Sequence, residues 1–174
     1  MLFRSRFTLA EVAREVGLAP ATLVQRFGSK RGLLLALSSQ LAASMDACFD
    51  AVRAAHASPL EALLSAATEM ARFSTTPEEL ANSLAYLQID LSDEEFHKHI
   101  LVGSRAVQRG YRVLLDDAVA AGELKPSDTE VLARAVEAMA GGSLIGWAIH
   151  RKGRAETWVR KDLETLLAPY RRRA

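Results

Sequence analysis

The sequence contains a single cysteine, and its uninterrupted apolar runs are short. Cys48 has no partner for an internal disulfide, which fits a reducing cytoplasm, and no segment has the pattern of a secretory signal peptide. The apolar run at 138–148 is flanked by charged residues and is well short of the roughly 20 residues that a membrane span requires. We therefore expect a cytoplasmic protein with no membrane segment.

Motifs of enzymes and metal sites are also missing from the sequence. It has no phosphate-binding glycine loop, no nucleophile elbow and no zinc-spaced set of Cys and His. His97 and His99 are two residues apart, so on a helix they diverge and do not easily share a metal ion. Asp93 and His97 are better explained as an exposed helical pair. We therefore expect no enzyme activity, no metal and no cofactor.

What the sequence does contain is helical periodicity. Alanine and leucine dominate, and no alternating pattern of strands is present, so the expected fold class is all-α. Six helices are expected after residue 30, and Ser92 with Glu95 is the expected capping box of the fourth. The expected inner stripe of the first consists of Leu34, Leu37, Leu41, Met45, Cys48 and Val52. That of the third contains Leu80, Leu84 and Leu87.

The most informative segment is 8–33, which reads TLAEVAREVGLAPATLVQRFGSKRGL. Thr8 and Glu11 are three residues apart and predict a capping box at the start of a helix. Gly17 is suited to end this helix, and Pro20 is suited to the first position of the next. A helix, a tight turn and a second helix form the pattern of a helix-turn-helix that reads DNA.

The second of these helices has an inner and an outer face. Leu23 and Phe27 lie four residues apart and are expected to point inward, and Leu18 is expected to anchor the turn as a buried residue. The outward residues are small or can form hydrogen bonds, which suits contacts with bases and phosphates. The predicted DNA-binding residues are Thr8, Ala19, Ala21, Thr22, Gln25, Arg26 and Lys30.

Charge is unevenly distributed along the chain. Residues 1–31 contain six basic and two acidic side chains, although the whole protein has a net charge of only +1. A basic tip on a mildly acidic body suits phosphate binding, but a merely solvated face would have the same composition. The basic cluster at 171–173 is interpreted as a solubilising tail.

The segment 17–34, GLAPATLVQRFGSKRGLL, resembles the second half of the DNA-binding region of the tetracycline-repressor (TetR) family. The matching residues are Gly17, Thr22, Leu23, Phe27, Lys30 and Leu33. The resemblance implies a homodimeric transcriptional regulator, most often a repressor, which leaves its double-stranded DNA operator when a small effector binds. On this basis we expect a helix-turn-helix DNA-binding domain at 1–36 and a helical ligand-binding and dimerisation domain at 37–174.

Three departures from the family pattern affect the expected strength of DNA binding. Ala19 stands where the family has a capping Ser, and Val24 replaces a Tyr that contacts phosphate. The family also has a full first helix before the motif, for which Leu2, Phe3 and Phe7 are candidates for a remnant. We therefore expect weak DNA binding by this chain. The alternative is a helical ligand-binding or interaction dimer that has lost DNA binding because its head is incomplete.

An effector site is predicted between the middle helices, where apolar and aromatic residues are candidates to line a cavity. These residues are Met70, Phe73, Tyr86, Leu87, Phe96, Tyr111 and Trp147. Few charges interrupt the apolar stripes, which favours an apolar or weakly polar effector. Ordinary core packing is the alternative explanation for every one of them.

The dimer surface is predicted on the last two helices, partly because the family places it there. A glycine inside a helix costs roughly 1 kcal/mol relative to alanine, so the glycines at 141, 142 and 146 indicate close approach of another backbone. The predicted interface contains Gly142, Gly146, Ile149, Trp158 and Leu166. Packing of these glycines within the chain is the alternative.

Overall fold

Helices account for all the regular structure that the computed structural model describes, which comprises residues 8–172 without the side chains of Met70 and Phe73. The predicted remnant at Leu2, Phe3 and Phe7 and the basic residue at 173 lie outside the described residues. So do the side chains proposed for the effector site at positions 70 and 73.

Eight α-helices follow one another in the described part of the chain. They are α1 (Leu9–Glu15), α2 (Pro20–Phe27), α3 (Lys30–Ala55), α4 (Pro59–Glu69), α5 (Pro77–Ser92), α6 (Glu94–Ala120), α7 (Thr129–His150) and α8 (Ala155–Leu167). Short 3-10 helices follow α4 at Met70–Phe73 and α8 at Ala168–Tyr170. The predicted fold class is confirmed, because a two-helix head precedes a bundle of six helices.

The longest helices, α3 and α6, pack side by side and run in the same direction. Near their middle, a Cβ on Gly103 would lie 3.8 Å from Ala42. Further along both helices, Gly110 faces the ring of Phe49, which also meets Tyr111 edge to face at 5.1 Å between ring centroids. The glycines let the two helices approach closely, and Phe49 fills the remaining space.

Ion pairs join the same two helices on their exposed sides. Arg53 on α3 donates two hydrogen bonds to Asp117 on α6, of 2.6 and 2.9 Å. Asp46 on α3 accepts from Arg109 on α6 at 3.1 and 3.2 Å. Exposed pairs add little to stability, but two of them along one contact fix the register of α3 on α6.

The main core lies between α4, α6, α7 and α8. The largest fully buried side chains are Leu63, Leu64, Tyr111, Leu114, Leu115, Leu124, Val136, Val159, Leu163 and Leu167. The apolar residues of α4 and of the second half of α6 therefore supply much of this core.

The predicted inner stripe of α3 is wrong at three of its six residues, whereas Leu34, Met45 and Val52 are half-buried. Leu37 and Leu41 are 48% and 58% exposed, and Cys48 is exposed rather than part of the core. Ala42 and Phe49 are the residues of α3 that lie against the glycines of α6. The close contact with α6 therefore falls on another face of α3 than the one that carries Leu37 and Leu41.

The predicted inner stripe of α5 is also wrong beyond its first residue. Leu80 is buried, but Leu84 and Leu87 are 39% and 36% exposed. The half-buried residues on the opposite side of this helix are Asn82, Ala85 and Ile89. Packing of α5 on α6 and α7 therefore leaves most of its leucines uncovered within the chain.

The capping residue of α6 is Asp93 and not Ser92 as predicted. The Asp93 carboxylate accepts from the backbone N–H groups of Glu95 and Phe96 at 3.1 and 3.4 Å. The Ser92 hydroxyl donates to the carbonyl of Ile89 at 3.3 Å, inside the last turn of α5. The two helices are so close in sequence that Ser92 still belongs to the first of them.

Within the described residues, α3 is the one helix long and apolar enough to cross a membrane. Its most apolar window has a mean hydropathy of 1.3, and the helix has 26 residues. Length and composition alone are weak support for a span, because core helices of other folds pass the same test. Since α6 packs along this helix and forms ion pairs with Asp46 and Arg53, we interpret it as part of the bundle.

Replacing Gly110 tests the close packing of α3 on α6. In Gly110→Ala, the new Cβ would lie 2.3–2.5 Å from three ring atoms of Phe49, so the ring or the helix must move. We expect the free energy of unfolding in urea to fall by roughly 1–3 kcal/mol. Gly103→Ala is the matched control, because its Cβ would meet Ala42 at an ordinary 3.8 Å. Equal stability of the two variants would contradict this packing.

The missing cap of α2 gives a prediction in the stabilising direction. Ala19 is the N-cap residue, with extended backbone at φ −71° and ψ 138°, and has no side-chain hydrogen bond to the helix. Ala19→Ser should restore this bond and stabilise the protein by roughly 0.5–1 kcal/mol, measured as a higher Tm. Ala10→Ser, inside α1, controls for the change of residue type and should not raise the Tm. A cap of no consequence would leave both variants alike.

Candidate nucleic-acid interface

The head begins with the predicted capping box on α1. The Thr8 hydroxyl accepts from the Glu11 N–H at 3.2 Å, and the Glu11 carboxylate accepts from the Thr8 N–H at 2.6 Å. These bonds lower the pKa of Glu11, and the charges of Arg14 and Lys30 lower it further. The capping box is therefore confirmed, and it fixes the start of α1 at Thr8.

The turn between α1 and α2 is held by backbone geometry. Gly17 has a φ of +69°, a backbone conformation that residues other than glycine rarely adopt. The Leu18 N–H donates to the carbonyl of Ala13 at 2.8 Å, which closes the end of α1. The Leu18 side chain is 46% exposed, so the predicted buried anchor is wrong. Ala13, fully buried, is the residue that packs beneath the turn.

The second helix has the two faces that the sequence predicted. Leu23 is 4% exposed and Phe27 is half-buried, so both point toward α1 and α3. The guanidinium of Arg26 lies 5.4 Å from the centroid of the Phe27 ring. The predicted DNA-binding residues Ala19, Ala21, Thr22, Gln25 and Arg26 are all exposed, as is Thr8, and Lys30 is half-buried. Their contacts with DNA stay predictions.

Glycine also governs the junction between α2 and α3, where Gly28 and Ser29 fit a helix end and a helix cap and only the role of Gly32 was not predicted. Gly28 ends α2 with a φ of +70°. A Cβ on Gly32 would lie only 2.0 Å from the carbonyl oxygen of Phe27, so no larger residue fits without moving the backbone. The Ser29 hydroxyl accepts from the Gly32 N–H at 3.1 Å and caps α3. The signal was available, since a glycine in the first turn of a helix indicates a close backbone approach.

Arg31 was counted among the basic residues of the head, but it faces the body. Its guanidinium donates to both carboxylate oxygens of Asp93 at 2.8 and 2.9 Å, and also to Glu95. It lies 5.3 Å from the centroid of the Phe96 ring. The hydrogen bonds from Arg31 hold the pKa of Asp93 below its usual range. No local pattern indicated this contact, because its partners are more than 60 residues away along the chain.

The predicted effector residues do not meet at one place in the described structure. Phe96 packs beneath Arg31, and Tyr111 packs against Phe49. Since Phe96 and Tyr111 are 15 positions apart on α6, about 22 Å of helix separates them. Trp147 lies at the far end of α7, where its indole N–H donates to the carbonyl of Gly153 at 3.1 Å.

The other described members of that set lie on α5. Tyr86 and Leu87 are 41% and 36% exposed. A shallow groove with a volume of about 270 Å³ opens elsewhere, between α4 and α8. It is lined by Thr68, Glu156, Thr157, Arg160, Lys161 and Glu164. The effector site therefore stays a prediction.

The glycines of α7 divide between two environments. A Cβ on Gly141 or Gly142 would meet nothing within 4 Å, so this part of α7 is open. A Cβ on Gly146 would lie 3.5 Å from the ring of Trp158, so this glycine packs on α8 within the chain. Ile149 is 73% exposed on the open side of the helix.

The two remaining residues of the predicted interface are Trp158 and Leu166, and both are half-buried against the core. The Trp158 indole donates to the carbonyl of Lys152 at 2.7 Å and its ring stacks on His150.

Among the described residues, no three His, Cys, Asp or Glu side chains cluster as metal ligands would.

Comparison with known proteins supports this interpretation of the head. The family model described as "Bacterial regulatory proteins, tetR family" matches residues 5–37, which include α1, α2 and the start of α3. No curated protein has a sequence that matches this chain.

Solved structures share the fold along nearly the whole chain. The TetR family transcriptional regulator PfmR from Thermus thermophilus is 25% identical with a TM-score of 0.63, and the match covers 96% of this chain and 90% of PfmR. The ketosteroid transcriptional regulator KstR2 of Mycobacterium tuberculosis is 16% identical, with a TM-score of 0.66 and 98% and 87% covered.

A third solved structure is SmeT, the repressor of the Stenotrophomonas maltophilia multidrug efflux pump SmeDEF. It is 19% identical with a TM-score of 0.67, and the match covers 97% of this chain and 82% of SmeT. At such low identity, KstR2 and SmeT show a shared fold only. The head sequence matches the TetR family model, and the whole chain shares its fold with PfmR and other TetR-family regulators, which together with the geometry of α2 support a DNA-binding transcriptional regulator of this kind.

Proposed function

We propose that the protein is a homodimeric repressor that a small effector releases from a double-stranded DNA operator in the cytoplasm. The observation that carries this proposal is the two-faced α2. Its inner residues Leu23 and Phe27 pack against the head, while Gln25 and Arg26 project from the other side. A helix supported from behind and polar in front fits the major groove of B-DNA.

The exposed side chains of α2 match the chemistry of base edges and phosphates. Gln25 has the paired donor and acceptor that suit adenine, and Arg26 suits guanine or a phosphate. Ala21 and Val24, which is 49% exposed, present methyl groups of the kind that contact thymine. Lys30 begins α3, where its charge and the free N–H groups of the helix favour a phosphate.

The open face of α7 supports dimerisation through a second copy of the chain. Apart from Glu130 and His150 at the two ends of α7, its exposed residues follow helical spacing and are small or apolar except for one arginine. They are Val131, Arg134, Ala138, Gly141, Gly142, Ile145 and Ile149. In a two-fold dimer the same stripe meets itself, and the two glycines allow close approach of the backbones. Such a dimer would present two heads to half-sites about one turn of DNA apart.

The uncovered leucines of α3 and α5 support an apolar effector. Leu37 and Leu41 on α3 and Leu84, Leu87 and Leu91 on α5 are all more than a third exposed. Both helices pack on α6, and α3 also carries the head. An effector that covered these leucines would favour a different position of α3 and so a different spacing of the two heads.

Substitution of the two polar residues of α2 tests DNA recognition. Duplexes of 20–30 base pairs selected from random DNA by the wild-type protein serve as the probe. In Gln25→Ala/Arg26→Ala, loss of the base contacts should weaken binding at least about thirtyfold, measured by gel shift. Arg105→Ala, an exposed arginine on α6, is the control and should bind within twofold of wild type. Unchanged affinity of the double variant would rule out α2 as the reading helix.

Substitution at Gly142 tests the dimer surface. Because a Cβ there meets nothing within 4 Å, Gly142→Arg should fold normally in the single chain but keep two copies of α7 apart. We expect light scattering to give the mass of a dimer for wild type and of a monomer for Gly142→Arg, with equal helicity by circular dichroism. Gly142→Ala is the control and should stay dimeric. A dimeric Gly142→Arg would place the interface elsewhere.

A further inference from the structure

We propose that Arg31 is a positioning residue for DNA recognition, which holds α2 at a fixed angle to the body without contacting DNA. Arg31 acts through a contact between the head and the start of α6, which we name the Arg31 clasp. The clasp consists of Arg31, Asp93, Glu95 and Phe96. This inference rests on DNA reading by α2, and it adds the residues that orient this helix.

The clasp restrains orientation as well as distance. One guanidinium nitrogen of Arg31 donates to both oxygens of Asp93 and another donates to Glu95, while the central carbon lies over the Phe96 ring at 5.3 Å from its centroid. Two of the partners are themselves held in place. Phe96 is 4% exposed, and Asp93 also caps α6 through the N–H groups of Glu95 and Phe96. Three side chains of the body therefore hold Arg31, and two of them are held by burial or by a helix cap.

The position of Arg31 in the chain transmits this restraint to α2. It lies in the first turn of α3, beside Gly32, whose Cα packs against the carbonyl of Phe27 at the end of α2. In the described residues, α1 packs on α2 and α2 packs on α3, and neither α1 nor α2 has an extensive contact with α4–α8. The clasp is thus a side-chain link by which the body orients the head.

The two carboxylates of the clasp are the second reason to assign it a positioning role. Acidic groups close to a DNA-binding surface repel phosphate and weaken binding. Asp93 and Glu95 lie at the head end of the body, and they occupy a cation that would otherwise attract DNA. The two carboxylates therefore cost DNA-binding energy. This cost is explained if the orientation that the clasp gives to α2 strengthens DNA binding by more than a freely available Arg31 charge would.

The experiment uses this conflict between charge and orientation. In Asp93→Asn/Glu95→Gln, the asparagine keeps an oxygen to cap α6, but both negative charges of the clasp are lost. Electrostatics alone predicts tighter DNA binding by this variant. We expect weaker binding instead, by about three- to tenfold on the selected duplexes, since the ordered network is lost. Arg31→Gln should lose a similar factor, and the triple variant should bind no worse than either parent.

Glu94→Gln is the matched control. Glu94 lies in the same turn of α6 and pairs with Lys98 at 3.1 Å, outside the clasp. Removal of its charge should leave binding unchanged or slightly stronger. The salt dependence of DNA binding gives a second distinction. Loss of a phosphate contact reduces the slope of log affinity against log salt concentration by about one, whereas loss of a positioning residue leaves this slope unchanged.

Two results would overturn the proposal. Tighter binding by Asp93→Asn/Glu95→Gln, dependent on Arg31, would show that the carboxylates merely withhold a phosphate ligand. Wild-type affinity in both Arg31→Gln and the double variant would show that the clasp orients nothing of consequence. Hydrogen exchange of the amides at 20–34 is measured in parallel without DNA. It should quicken in the clasp variants while α7 stays protected, which tests the clasp even if the wild-type protein selects no duplex.

Discussion

The packing of α3 along α6 is the contact on which the rest of the molecule depends. The head is attached to the first turn of α3, while the main core is built around the second half of α6. Gly110 brings the two helices together over Phe49, and Arg53 with Asp117 fixes their register. Because the helices run in the same direction, the start of α6 comes to lie beside the head. That placement is what allows Arg31 to reach Asp93.

In the proposed mechanism, this geometry makes α3 the lever between the effector and DNA. Its 26 residues span about 39 Å, so a tilt of about 5° at the body would move the head by about 3 Å. Such a shift is a large fraction of the rise between base pairs, and two heads in a dimer would double the mismatch in spacing. The exposed leucines lie on the lever itself and on α5, and both helices pack on α6. An effector bound there would shift the population between two arrangements of α3 that already exist, and would favour one of them.

Much of the head could be predicted from the sequence, because short-range signals determine it. The cap at Thr8, the stop at Gly17 and the inward pair Leu23 and Phe27 follow from spacings of three and four residues, and the structure contains all of them. Whether the Leu18 side chain is buried or exposed could not be predicted in this way. Its backbone N–H, and not its side chain, makes the contact that closes the turn.

The sequence by itself determined where most helices begin and end, since capping, glycine and helical periodicity act within a few residues, although it placed the cap of α6 one residue early. Only the tertiary structure decided which face each helix buries. Cys48 and Leu84 fit apolar stripes but lie outside the core, because glycines and alanines elsewhere set the close contacts. The same reason separates Gly142, which is open, from Gly146, which packs on a ring of its own chain. Whether a small or charged residue is exposed or paired depends on groups far away in sequence, and only folding brings those groups together.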